Sequence, residues 1–194
     1  MSDDIKNWEG LIHGDENAFA KLYESYFKLL YNYGRKICSE RARVEDCIHD
    51  LFVDLWRYRE NLSSTTSVRF YLYRALRRKL VKQKENAMSL YDDTSFIDEV
   101  LRLSTQSQEY DIIESESKDQ KSAKLKKLLN DLSPRQFEAL VLYFYDEFSY
   151  EEIASILNVN TQSARNLVQR GLVQLRDYAK HIVSIGLFLF FLLS

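Results

Sequence analysis

The sequence predicts an all-α protein of two small helical domains joined by an acidic flexible linker. Three observations carry this. Glycine and proline are scarce, five and one in 194 residues, which starves β-hairpins of the turn residues they need. Apolar residues recur every three or four positions through two separate stretches, the period of a helix face. Charge is segregated along the chain. Ten acidic and two basic residues lie between Glu85 and Asp119, a net of −8. The remaining 25 basic and 19 acidic residues leave the rest at +6, a division that the overall charge of −2 hides.

Composition narrows the function classes. Hydrophobic residues make up 45% and charged residues 29%, a globular mix rather than a disordered one. The glycines at 10, 14, 34, 171 and 186 form neither a P-loop nor a dinucleotide fingerprint. Two cysteines and three histidines do not supply a disulfide scaffold or a four-ligand structural zinc site. No charged-then-apolar segment opens the chain, so a soluble protein of a reducing cytoplasm is expected.

The first helix is expected to begin near Glu16, capped by Asp15. Its apolar face runs through Phe19, Leu22, Tyr23, Tyr26, Leu29, Leu30, Tyr33 and Ile37. A second helix is expected from about Val44 to Glu60. Ile48, Leu51, Phe52, Leu55 and Trp56 form its core stripe, and Asp46, His49, Asp50, Asp54 and Arg57 its other face. A third, about Ser67–Lys84, buries Val68, Leu72, Leu76 and Leu80. It carries Arg69, Arg74, Arg77, Arg78, Lys79, Lys82 and Lys84 with no acid, and Phe70, Tyr71 and Tyr73 near its start. Cations at such spacing can follow a phosphate backbone, and aromatics beside them can stack on unpaired bases.

The Ser-, Gln- and Glu-rich stretch that follows has little to bury. Residues 86–120 are therefore expected to be a linker, with one short helix around Phe96–Leu103. Beyond it, Ser133, Pro134 and Gln136 read as a helix start, with Phe137, Leu140, Val141 and Phe144 as the core face. Ser149 and Glu152 form a second capping box, ahead of Ile153, Ala154 and Leu157. Asn158, Val159 and Asn160 make a three-residue turn, Asn158 left-handed and Asn160 capping a last helix from Thr161 to about Tyr178.

Short helix, tight turn and longer helix is the pattern of a helix-turn-helix. Ala164, Val168 and Leu175 of the longer helix face the core. Gln162, Ser163, Arg165, Asn166, Gln169 and Arg170 face outward, and these side chains suit base edges and phosphates. The domain boundaries are set at 10–85, 86–120, 121–180 and 181–194. The last segment holds the uncharged run Ile182–Leu193. Twelve helical residues span roughly 18 Å, short of the ~30 Å hydrocarbon core, so the run is expected to pack on a protein or touch a membrane surface rather than cross it.

With these residues on the page, the chain resembles an RNA polymerase sigma factor of the extracytoplasmic-function group. GDENAFAKLYESYF resembles the opening of that family's second region, and VEDCIHDLFVDLW its polymerase-binding helix. His49 stands where Gln is usual and Asp50 where Glu is usual. The stretch from Leu132 to Arg176 resembles the fourth region.

The resemblance implies a cytoplasmic, non-enzymatic promoter-specificity subunit with no cofactor and no metal. Asp46, His49, Asp50, Asp54 and Arg57 would bind core RNA polymerase at the clamp helices of β′, and the fourth region would meet the β flap. Tyr71, Tyr73, Arg74, Arg77, Arg78 and Lys82 would hold the melted strand of the minus-ten element. Gln162, Ser163, Arg165, Asn166, Gln169 and Arg170 would read the minus-thirty-five element. An anti-sigma factor is the implied regulator. Arg78 and Lys82 stand where the family usually has Asn and Asp, which adds positive charge toward DNA. Two rival readings remain open: a helix-turn-helix regulator that does not join core polymerase, and a membrane-surface adaptor that uses the basic helix for anionic lipids.

Overall fold

The computed structural model describes residues 3–86 and 132–192, with side chains over 3–82 and 132–176. The expected linker and its helix around Phe96–Leu103 lie outside the described residues. All regular elements among the described residues are helical: α1 (Asp3–Ile12), α2 (Glu16–Arg35), α3 (Arg41–Arg57), a 3-10 turn (Arg59–Asn61), α4 (Val68–Asn86), α5 (Pro134–Phe144), α6 (Tyr150–Leu157) and α7 (Thr161–Leu192). The chain divides into two compact units, α1–α4 in the first and α5, the start of α6 and α7 in the second.

In the first unit α2 is the hub, touching α1, α3 and α4. Asp15 caps it, its Oδ1 accepting from the Asn17 and Ala18 amides at 2.8 and 3.2 Å. Leu22, Tyr26, Leu30 and Tyr33 form the buried stripe, while Leu29 is 37% exposed and stands off it. Arg35 ends the helix and is itself buried; its Nη1 donates to the carbonyls of Cys38 and Ser39 and holds the turn into α3. α3 starts three residues earlier than the periodicity indicates and stops at Arg57. Its core stripe of Ile48, Leu51, Phe52 and Leu55 is buried as expected. α4 buries Val68, Leu72, Leu76 and Leu80, one residue per turn.

The element missing from the sequence reading is α1, which carries the unit upstream of the expected boundary at residue 10. Its stop signal is present in the chain. Gly14 takes φ +82 and its amide donates to the Leu11 carbonyl at 2.9 Å, while the Asp15 amide reaches the Gly10 carbonyl at 2.9 Å. This paired closure of a helix end requires a left-handed residue, which glycine adopts without a Cβ clash. Trp8 and Leu11 anchor α1 at 1% and 0% exposure, and Tyr26 donates its hydroxyl to Asp4 Oδ2 at 2.8 Å.

The second unit follows the expected caps. Ser133 Oγ accepts from the Gln136 amide, and Gln136 Oε1 accepts from the Ser133 amide at 2.8 Å. The Ser149–Glu152 pair repeats the reciprocal arrangement. Asn158 is left-handed at φ 54, ψ 54, and Asn160 Oδ1 accepts from the Ser163 amide at 2.7 Å.

Some details of the second unit depart from expectation, Val141 among them, which is half-buried rather than core. Phe144 is 58% exposed rather than core, and Ala139 and Leu142 fill α5's buried face with Phe137 and Leu140. α7 runs to Leu192, well beyond Tyr178; nothing from Tyr178 to Leu192 has the character of a helix stop except the isolated Gly186. Across the α5–α7 contact a Cβ on Gly171 would stand 2.7 Å from Leu140 Cδ1, so glycine is what lets these helices close. Among the described residues no helix is long and apolar enough to cross a membrane.

Candidate functional site

Two kinds of surface collect the residues with functional chemistry. The first is the open face of α3. Burial of Ile48, Leu51, Phe52 and Leu55 turns Asp46, His49, Asp50 and Arg57 outward, and all four are exposed. Val53, 52% exposed, sits on the same side.

Asp54 departs from the stripe. Its Oδ2 accepts from Lys79 Nζ of α4 at 2.6 Å, so its carboxylate ties two helices together. That pairing also removes Lys79 from the open cations of α4.

Sequence reasoning missed how far this face extends onto α2. His49 Nδ1 lies 3.3 Å from the Tyr23 hydroxyl, and its ring stands 5.9 Å from Phe27. Tyr23, Phe27 and Tyr31 follow one another at centroid distances of 5.4 and 6.3 Å. Their i, i+4, i+8 spacing is the available signal; the expected core face takes in Tyr23 and leaves out Phe27 and Tyr31. In the structure α2 has two stripes, one buried and one of half-exposed aromatics beside α3.

The second kind is cationic, with one face on α4 of the first unit and another, taken by itself, on α7 of the second. On α4, Arg78 and Lys82 are exposed and Arg74 and Arg77 half-buried. The aromatic expectation needs correction. Tyr73 is 1% exposed and stacks on Tyr33 with centroids 4.7 Å apart, while the Arg69 guanidinium lies 5.5 Å over its ring. It belongs to the core, because the buried stripe of α4 is wide enough to take both Leu72 and Tyr73. Tyr71 is half-buried against Trp8, 4.9 Å between centroids, and burial pushes its hydroxyl above the ordinary tyrosine value. An exposed aromatic lies instead at the end of α3, where Tyr58 is 52% exposed. Beside it, the Arg59 guanidinium covers the Trp56 ring at 4.7 Å.

α7 presents its first turns as expected. Ala164 and Val168 are buried at 0%, which leaves Gln162, Arg165, Gln169 and Arg170 exposed and Ser163 and Asn166 half-buried. Leu175, expected in the core, is half-buried. Gln162 Nε2 donates to Asn166 Oδ1 at 3.1 Å, so these two amides are already aligned along the outer face. Such a row can donate to and accept from base edges in a major groove, with Arg170 available to phosphate.

The cysteines take no part in either surface. Cys47 is buried, and burial first, then the nearby Cys38, pushes its thiol up to about 11. Among the described residues no group of three His, Cys, Asp or Glu could hold a metal ion.

Comparison with known proteins gives these surfaces a context. Residues 22–87 match the family description "Sigma-70 region 2", and residues 122–175 match "Sigma-70, region 4". The first match spans α2 to α4 and the second the helix-turn-helix. No curated protein matches the sequence. Among solved structures, CnrH in complex with the cytosolic domain of CnrY aligns with a TM-score of 0.62 at 17% identity. That alignment covers 93% of this chain and 99% of the other. The sigma factor RpoE of Bartonella quintana, solved with the anti-sigma factor NepR, aligns with a TM-score of 0.57 at 19% identity. It covers 84% of this chain and 96% of the other. At these identities the structural likeness speaks for the fold.

Proposed function

The chain belongs to the sigma-70 family, carrying its region 2 and region 4, and from that premise we propose that it is a non-enzymatic sigma factor of the extracytoplasmic-function type that directs promoter recognition with RNA polymerase, its surfaces dividing the work as follows. The open face of α3, with Asp46, His49, Asp50, Val53 and Arg57, docks on the β′ clamp helices of core polymerase. Tyr23 and Phe27 of α2 extend that face, and the second unit meets the β flap. Arg74, Arg77, Arg78 and Lys82 of α4 hold the melted strand of the minus-ten element, with Tyr58 rather than Tyr73 as the exposed aromatic. α7 enters the major groove of the minus-thirty-five element.

The observation that carries this division is the outward row on α7. Gln162, Arg165, Gln169 and Arg170 project opposite the buried Ala164 and Val168. Duplex reading sets the register, and salt-dependent cation contacts retain opened DNA. The extra charge of Arg78 and Lys82 strengthens strand retention without adding a base-reading group.

The test is transcription in vitro with purified core enzyme and mapped start sites. The expected result is initiation at discrete sites only when the chain is present. A chain that binds duplex DNA but never co-purifies with core polymerase would mark an ordinary helix-turn-helix regulator instead. Liposome binding without sequence-selective DNA binding would mark a membrane-surface adaptor. Within the assay, Gln169→Ala is expected to weaken use of the preferred upstream element by about 1–3 kcal/mol, the worth of a good base contact. Promoter preference unchanged in competition would contradict the docking of α7.

Regulation follows the same premise. The protein works in the cytoplasm, and an anti-sigma factor covers the α3 face and so competes with polymerase. Support for a regulatory protein partner comes from the similar solved structures, CnrH in complex with the cytosolic domain of CnrY and RpoE in complex with the anti-sigma factor NepR. The apolar run 182–193 limits the amount of free sigma factor, by packing on a protein or by resting on a membrane surface. Removal of residues 182–194 is expected to raise promoter output and shift the protein out of the membrane fraction, read by reporter assay and fractionation. Unchanged output and fractionation would remove the tail from the regulatory scheme.

A further inference from the structure

Arg165 differs from its neighbours on the outer row of α7 because its guanidinium already has a support. It lies 5.2 Å over the centre of the Tyr150 ring. Tyr150 opens α6, directly after the cap residue Ser149. Behind it, Tyr143 near the end of α5 stacks on Tyr150, with centroids 4.9 Å and planes 17° apart. Phe144 in turn meets Tyr143 edge-on at 4.9 Å. Three helices thus contribute one layered stack of guanidinium, ring and ring.

The stack has a specific physical consequence. An exposed arginine loses much rotamer freedom when it docks, whereas one held on a ring face has lost part of it beforehand. Stacking engages the flat face of the guanidinium and leaves its in-plane N–H groups directed outward. Those are the groups that pair with the two acceptors on a guanine edge. The Tyr150 ring is not needed for the helix start, since Ser149 and Glu152 complete the capping box between themselves. The Tyr143 hydroxyl beside it, and then burial, push the Tyr150 hydroxyl above the ordinary tyrosine value.

We propose that Tyr150, backed by Tyr143, is a positioning residue that presents Arg165 to a single base pair of the upstream duplex and makes that position the most strictly read. The inference rests on the docking of α7 in the major groove. It predicts an uneven readout, in which the base pair under Arg165 tolerates least variation.

The experiment uses the full chain assembled with core polymerase. It selects from promoter duplexes randomised through the upstream element, with wild type, Arg165→Ala, Tyr150→Phe and Tyr150→Leu compared. Arg165→Ala is expected to erase preference at one base pair. Tyr150→Leu is expected to relax that same preference roughly 2- to 5-fold, the scale of an exposed cation–ring contact, and to leave the other positions alone. Tyr150→Phe keeps the ring face and is expected to retain most of the preference.

If Tyr150→Leu selects the wild-type pattern while Arg165→Ala does not, the positioning role is overturned and the docking stands. Equal loss at every position with Tyr150→Leu also overturns it, since that is the mark of a merely structural ring. If Arg165→Ala itself selects the wild-type pattern, the docking of Arg165 fails and this inference with it.

Discussion

Replacement of Asp50 by Lys is expected to weaken association with core RNA polymerase by on the order of a hundredfold, while the folded chain keeps its stability. Asp50 is exposed on the face of α3 opposite the buried Ile48 and Leu51, and surface substitutions of that kind usually change folding by less than about 0.5 kcal/mol. At a docked interface the same change sets a cation where the partner offers complementary positive potential, which costs several kcal/mol. Titration of labelled chain with purified core enzyme measures the effect, with helix content and thermal unfolding as the folding control. Asp50→Asn should lose less than Asp50→Lys, because it removes attraction without adding repulsion. Normal holoenzyme assembly with Asp50→Lys would refute the assignment of this face.

The other large effect concerns the fold. Trp8→Ala is expected to remove about 3–5 kcal/mol from the first unit, the usual cost of emptying a large aromatic site. Trp8 is 1% exposed, packs 4.9 Å from Tyr71 and donates from Nε1 to the Ser63 carbonyl at 3.1 Å. It therefore fastens α1 both to α4 and to the segment that leads into it. Domains are stable by only ~5–15 kcal/mol, so the urea midpoint should fall steeply. The chain has two tryptophans, Trp8 and Trp56, both in the first unit. Fluorescence of the remaining Trp56 thus reports that unit in the full chain. Trp8→Phe, which keeps an apolar ring but not the donor, should fall between. A midpoint unmoved by Trp8→Ala would show that α1 is not part of the cooperative unit.

The two predictions differ in how far the sequence foretold them. Asp50 could be placed outward from periodicity, because the i, i+3, i+4 stripe of α3 leaves its opposite face to solvent. α1 was passed over. Its Trp8 and Leu11 offer too short an apolar pattern in a ten-residue helix, and a short isolated helix is marginal until something packs on it. The stop at Gly14 was the signal that could have disclosed it.

The caps and turns of the second unit were legible for the opposite reason. Ser133 with Gln136, Ser149 with Glu152, and Asn158 with Asn160 act within four residues of chain. The outward row of α7 was legible because Ala164 and Val168 mark its buried side. Charge segregation was also a property of the chain alone.

What packing decided is which of several adjacent candidates is buried or engaged. Tyr71 and Tyr73 look alike along the chain, yet Tyr73 stacks on Tyr33 inside the core, and among the described residues of the first unit it is Tyr58 that is an exposed aromatic. Asp54 matches Asp50 in type and helix, yet Lys79 of another helix claims it. Phe144 continues the apolar period of α5 yet touches Tyr143 only edge-on and is 58% exposed. The capped helix starts and the turn of the second unit follow from contacts a few residues apart, and those the sequence by itself determined. The fate of a side chain on the border of a face depends on what another helix brings against it, and only the assembled structure decides that.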